Sequence, residues 1–235
     1  MKRRDLMAGL ALAGMADAAG EDGQESLYIP RPQLVEDRKL LHDFMDEFAF
    51  VELVTAAPEI RITHIPVMLD RSAGRYGTLY GHVSRHNPQA AGFDGRRPAV
   101  IVFRGPDAYI SPAWFAKKEA VPTWNFAVVH ASGKPRAVTE RQPLHDLLAK
   151  LIAKFEGGGA GYDFGKLPDE YKYKMMAGIT GFAMEIERLE GKFKLGQDRG
   201  EVDREAMLRN LRAAKPARLM PDFAASYFAR VQSGH

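Results

Sequence analysis

The chain contains no cysteine. That absence excludes thiolate nucleophiles, disulfides, cysteine zinc sites, iron–sulfur clusters and an acylated lipoprotein anchor. Internal repeats and low-complexity tracts are missing too. No apolar run approaches the roughly 20 residues of a membrane-spanning helix, so the mature chain is expected to be soluble. Charge of one sign is scarce: the formal net charge is +3 over 235 residues. Bulk electrostatics therefore do not call for a nucleic-acid partner. What remains is an ordinary globular composition, 46% hydrophobic and 27% charged. That is ample apolar material for one domain with appendages.

The N-terminus has a distinct texture. Lys2-Arg3-Arg4 precede a mildly apolar run from Leu6 to Ala16, and Ala16-Asp17-Ala18 fits an A-x-A cleavage site. This is the anatomy of a secretory signal peptide, and the paired arginines suit the twin-arginine route. Residues 1–18 are therefore expected to direct export to the periplasm. A cytoplasmic protein with chance arginines at its start is the alternative. Residues 19–33 carry glycine and two prolines and are expected to form a linker or arm.

Residues 34–215 are expected to be the folded domain, with 216–235 as a C-terminal extension. Arg38 to Phe50 places Leu40, Leu41, Phe44 and Phe48 at helical spacing. Strand-like segments follow: Glu52–Thr55, Ile60–Leu69, Tyr76–Ser84, Ala99–Phe103, Ala108–Ile110, Trp124–His130 and Lys134–Val138. Glycine and proline punctuate them, which argues for an antiparallel barrel. Pro143–Phe155 predicts a helix, broken by Gly157-Gly158-Gly159. A second helix starts at Pro168 and runs through Met176. Phe182, Met184 and Ile186 alternate with Ala183, Glu185 and Glu187 as a half-buried strand does. Val202–Ala214 predicts a last, basic helix. The fold class is α+β, mainly β.

Three pieces carry polar chemistry on otherwise apolar strands. Burying such groups unpaired costs about 1–3 kcal/mol each, so they call for a reason. The densest is Gly81-His82-Val83-Ser84-Arg85-His86-Asn87-Pro88. Arg85 offers a planar fork suited to phosphate oxygens, and Ser84 adds a neutral donor. The second is Pro122-Thr123-Trp124-Asn125, where Trp124 either stacks on a planar ligand or fills a core. The third ends in Lys192-Phe193-Lys194-Leu195-Gly196-Gln197, with donors near a strand terminus. His82 and His86 share a face if their strand continues. No spacing here is diagnostic of zinc, and no metal ligands are assigned.

Six ordered motifs carry a resemblance: Tyr28-Ile29-Pro30, Thr63-His64-Ile65-Pro66, Gly81 to Pro88, Val102 to Pro112, Val121 to Asn125 and Leu189 to Gln197. Together they resemble the PaiB family of FMN-binding negative transcriptional regulators. The resemblance spans roughly Ser26 to Leu211. It implies an FMN-binding split β-barrel with flanking helices, a homodimer with FMN at the subunit interface. It further implies cofactor contacts at His64, Ile65, Pro66, His82, Val83, Ser84, Arg85, Asn87, Trp124, Asn125, Lys194 and Gln197. The chain departs from the family at His86, Asp107 and Asp198. No catalytic residue is assigned.

Three functions stay open. The first is an exported FMN-binding protein with a redox role, an FMN-dependent oxidoreductase if it turns over a small-molecule partner. The second is a cytoplasmic FMN-responsive negative transcriptional regulator. DNA is not the expected partner of an exported chain, and no helix-turn-helix pair is evident. The third is a haem- or metal-binding protein on the same barrel.

Overall fold

The structure is a computed structural model that describes residues 26–56, 58–116, 119–157, 162–214, 223–225 and 227–229. The N-terminal run read as an export signal lies outside these residues. The described elements follow in the order β1 (Leu34–Val35), α1 (Arg38–Glu47), β2 (Phe50–Thr55), β3 (Arg61–Asp70), β4 (Thr78–Ser84), β5 (Ala99–Ile110), β6 (Thr123–Gly133), β7 (Arg136–Val138), α2 (Arg141–Glu156), α3 (Asp169–Met176), β8 (Ile179–Lys194) and α4 (Glu201–Ala213).

The strands pair antiparallel in the order β8-β4-β3-β2-β5-β6, and β6 pairs in turn with β8. The sheet therefore closes on itself, with no free edge in the circuit. One strand makes the closure: β8 pairs with β4 through Ile179–Glu185 and with β6 through Ile186–Lys194. Short β1 and β7 also pair with β8, outside the circuit.

Two pairs of segments that look separate in the sequence are single strands. Ala99–Phe103 and Ala108–Ile110 form one strand, β5, with a register shift between Arg104 and Asp107. The interruption is Gly105-Pro106; a proline cannot donate to the ladder, so it sits where the pairing breaks. A Cβ on Gly105 would lie 2.6 Å from the Phe44 ring, so the missing side chain also admits α1 to the barrel. The two halves of β8 are likewise continuous. In the other direction, the helix predicted to reach Phe50 stops at Glu47, and Phe50 opens β2. Asp37 caps that helix by accepting from the Lys39 and Leu40 amides.

Alternation along each strand decides what faces in. Val51 and Leu53, Ile65 and Val67, Leu79 and Val83, Ile101 and Phe103, Ala127 and Val129, and Phe182, Met184 and Ile186 fill the barrel. α1 adds Leu41, Phe44 and Met45 to this core. Phe44, Phe193 and Phe223 form an aromatic knot with centroids 5.1 to 5.6 Å apart. Ala224 beside it is fully buried, so the C-terminal stretch contributes to the core. α2 lies against β8 where Gly181 leaves room: a Cβ there would meet the Leu144 side chain at 2.7 Å.

Candidate functional site

The same alternation builds an outward surface. Across the sheet, Glu52 stands opposite His64 on one side and Val102 on the other, and Val102 stands opposite His130. The next row runs Ile62, Val54, Val100 and Ser132. Phe50 and Pro66 face each other in the row above. Two large apolar side chains of this face are more than half exposed, Phe50 (68%) and Ile62 (56%), and Ile60 (76%) stands exposed just before β3. Set into it are polar groups, Glu52 and His64 on neighbouring strands and His82 on β4. His64 Nε2 is 3.9 Å from Glu52 Oε1. Glu52 Oε2, Arg61 Nε and His82 Nδ1 are buried and make no hydrogen bond.

The end of β4 brings together most of the densest motif. Ser84 and Arg85 are exposed, and Arg85 donates one hydrogen bond, to the Ala177 carbonyl at 3.2 Å. Asn87 caps the following turn by accepting from the Gln89 amide and donates to Thr63 Oγ1. Behind it, the Gln89 carboxamide plugs the barrel end. Its Nε2 donates to the Leu53 and Arg61 carbonyls and to Thr55 Oγ1, and its Oε1 accepts from Thr63. The turn that presents Ser84 and Arg85 is therefore held by a fully bonded, buried amide. Ile65 and Val83 point inward and are core residues, so only their backbones belong to this surface. His64, Pro66, His82, Ser84, Arg85 and Asn87 remain as a group on β3 and the end of β4.

The other four predicted residues lie elsewhere. Ser84 pairs with Ile179 at the start of β8, whereas Lys194 pairs with Phe126 at its end. That separation is about 50 Å of contour before any bend. Trp124 is exposed and packs edge-on against Tyr109, ring centroids 5.9 Å apart. Asn125 is buried, with its amide on Met207 Sδ. Lys194 donates to Thr123 Oγ1 at 2.6 Å. The Gln197 amide accepts from the Leu195 amide and donates to the Phe193 and Pro32 carbonyls. It shapes a loop and pins the N-terminal arm. β4 ends at Ser84, so His82 and His86 do not share a strand face as their spacing suggested.

Glu52, Thr63 and Gln89 were not singled out from the sequence. Glu52 alone carried a signal, a carboxylate in an otherwise apolar strand. Gln89 follows an Asn-Pro turn and reads as surface.

The basic C-terminal helix has compensating partners. α4 interleaves Glu201, Asp203 and Glu205 with Arg204, Arg209 and Arg212. Arg209 pairs with Glu205, and the Arg204 guanidinium lies over the Phe228 ring. No helix among the described residues is long and apolar enough to cross a membrane.

Burial holds two histidines of the outer face neutral. It depresses His82 below the ordinary histidine value. It depresses His130 as well, with Arg188 adding to the effect and Glu190 opposing it. In the unfolded chain both protonate near pH 6.5. The unfolded state thus binds more protons just below that pH, and folding stability falls as pH is lowered through it. Thermal melts from pH 8 to pH 5 are expected to show this decline, and His82→Gln to flatten it. Parallel decline in both proteins would remove His82 from the account.

Comparison with known proteins agrees with this architecture. Residues 27–188 match a family model described as "Putative FMN-binding domain". The chain is 31% identical over 206 residues to "Protease synthase and sporulation protein PAI 2" of Bacillus subtilis, covering 83% of this chain and 97% of that protein. Among solved structures, an FAD- and haem-binding protein from Mycobacterium smegmatis superposes with a TM-score of 0.53 at 16% identity, over 74% of this chain and 80% of that one. The flavocytochrome Anf3 from Azotobacter vinelandii gives 0.52 at 12% identity, over 72% and 73%. At such identities the likeness is one of fold, a mainly antiparallel split barrel with flanking helices. The chain belongs to the PaiB-like FMN-binding family. FMN, the cofactor expected from the six motifs, is the one for which the matched domain is named.

Proposed function

We propose that this chain is an exported FMN-binding redox protein, active as a homodimer, with the flavin on the outer face of β3 and β4. The observation that carries this is the end of β4, where Ser84 and Arg85 stand exposed on a turn locked by Asn87 and Gln89. A phosphate needs donors fixed in place; the Ser84 hydroxyl and the Arg85 fork supply them, and Arg85 has no carboxylate partner among the described residues. A flavin ring needs apolar support with polar groups at its rim. Pro66 and Phe50 offer the support, and His64 and His82 the rim, with His82 Nδ1 left without a partner. The residues present fit the group.

When bound, FMN supplies a site that takes up and releases a hydride or single electrons. The chain's own residues bind and orient. Ser84 and Arg85 hold the phosphate, and His82, kept neutral by burial, presents one N–H donor or one acceptor to the rim. The exposed Phe50, Ile60 and Ile62 argue for a second copy over this face, because a soluble monomer rarely leaves such a patch open. Lys2-Arg3-Arg4, the apolar run and the small-residue site support export by a route that carries folded, cofactor-loaded proteins. That location leaves no promoter within reach and favours electron transfer over gene regulation.

Protein purified from the periplasm is expected to be yellow, with a flavin spectrum that survives gel filtration. Colourless protein indifferent to added FMN would end the reading. Arg85→Gln removes a charged, two-pronged contact worth about 1.5–3 kcal/mol, which is about a 10- to 100-fold weaker FMN affinity by fluorescence quenching. Its thermal stability without FMN should barely move, since Arg85 is exposed. Unchanged affinity would take the phosphate away from this turn.

A further inference from the structure

The cavity between α2 and the outer face of β3 and β4 shares no residue with the Ser84–Arg85 turn or with the contacts that the family resemblance implies. It encloses about 370 Å³, inside the range of small-ligand pockets, about 300–1,000 Å³. Pro143, Asp146, Leu147 and Lys150 form one wall. They fall at i, i+3, i+4 and i+7, one stripe of α2. Met68 and Tyr80, paired across β3 and β4, form the other. The helix is fixed on either side of this stripe: Leu144 packs on Gly181, and Lys154 pairs with Asp46 of α1 at 2.8 Å. The gap is therefore built into the packing.

Most polar side chains of the wall are already committed. Asp70 accepts from the Ser72 amide and hydroxyl at 3.0 and 2.7 Å. Arg71 donates to Asp43 and Asp46. Asp146 stands four residues before Lys150, a spacing that commonly pairs on a helix. It turns instead to the Gln142 side-chain amide at 2.8 Å and to His145 at 3.3 Å.

Two donors are left over. The Lys150 ammonium and the Tyr80 hydroxyl make no hydrogen bond or ion pair among the described residues. Burial, and after it the charge of Asp70, raises the pKa of the Tyr80 phenol, so its proton stays available for donation.

We infer that this cavity is a binding site for a small aromatic monocarboxylate. Lys150 and Tyr80 donate to its carboxylate, a charged donor beside a neutral one. The ring lies against Met68, Pro143 and Leu147, and a thioether next to an aromatic ring is a favourable contact. Asp70 and Asp146 oppose a second negative charge, which disfavours a phosphate dianion. Met68 and Tyr80 stand one outward row beyond Pro66 and His82. The ligand thus lies beside the proposed flavin and shares none of its contacts.

The test is isothermal titration calorimetry of sodium benzoate into the full-length protein as purified, against sodium chloride of equal ionic strength. Benzoate is expected to bind saturably, one per chain, at millimolar concentration or below. Lys150→Met should weaken it about tenfold or more and Tyr80→Phe about fivefold, the losses of a charged and a neutral hydrogen bond. FMN affinity should be unchanged in both. Lys150 is exposed and Tyr80→Phe keeps the ring, so should one variant fail to fold the other carries the comparison. Four results overturn the inference: no saturable binding, unchanged benzoate affinity in the variants, tighter binding of benzylamine than of benzoate, or displacement of bound benzoate by FMN. The last would make the cavity part of the flavin site. Protein that binds benzoate in this way but no flavin would uphold the cavity site and remove the flavin reading alone.

Discussion

Gln89→Leu is expected to lower the folding stability of the protein by about 4 kcal/mol, because four side-chain hydrogen bonds disappear at about 1 kcal/mol each. The residue is 3% exposed, so water does not reach the groups left behind. Those groups are the Leu53 and Arg61 carbonyls and the Thr55 and Thr63 hydroxyls, drawn from β2 and β3. Leucine is close in size but offers none of them a partner. The carbonyls also serve the sheet ladder, which keeps the loss from growing larger. For a chain of this size 1 kcal/mol moves the melting temperature by about 2–4 °C, so a fall of about 10 °C is expected. Denaturant unfolding gives the same quantity independently. A loss under 1 kcal/mol would mean the plug is dispensable. FMN affinity should fall as well, since the plug holds the turn that carries Ser84 and Arg85.

The barrel was legible because its signal is local. Strand alternation in Glu52–Thr55, Ile60–Leu69 and Trp124–His130 reports directly which side chains are buried, and the core follows from it. What was not legible is how segments join. Gly105-Pro106 reads as a stop, but a bulge lets β5 pass through it. β8 reads as two pieces because its burial pattern changes phase where it leaves β4 for β6. Pairing partners decide that phase, and they lie far away in the sequence, as Thr78 does from Glu185.

The turn at the end of β4 was legible for the same reason. Ser84, Arg85 and Asn87 are neighbours in sequence, so one motif delivers them together. Trp124, Asn125, Lys194 and Gln197 were grouped with them by resemblance to a family, and no local pattern joins the two groups. In this chain they gather at the other end of β8. Gln197 has a local role that its sequence does not announce: its amide bonds three backbone groups. Gln89 shows the reverse, an unremarkable glutamine whose importance arises only when β2 and β3 close around it.

Ile62→Glu is expected to convert the proposed dimer to a monomer. Ile62 lies in an outward row with Val54 and Val100, two rows from exposed Phe50, and is itself 56% exposed in one chain. A twofold interface uses the same patch on both copies, so one substitution places two carboxylates in it. Burying an unpaired charge costs several kcal/mol. Two of them raise the dimer dissociation constant by roughly a thousandfold or more, at about 1.4 kcal/mol per tenfold. Because Ile62 is exposed in the single chain, the monomer should keep its fold, with an unchanged far-ultraviolet circular dichroism spectrum. Tyr171→Glu, at an exposed position on α3, is the control and should leave assembly intact. Sedimentation velocity at micromolar concentration separates the outcomes. A wild-type protein that sediments as a monomer, or a variant that stays dimeric, would show that this face meets something other than its own copy. If the variant becomes monomeric and also releases its flavin, the outer face and the cofactor site are one surface, which is what the row from Phe50 and Pro66 to Ile62 requires.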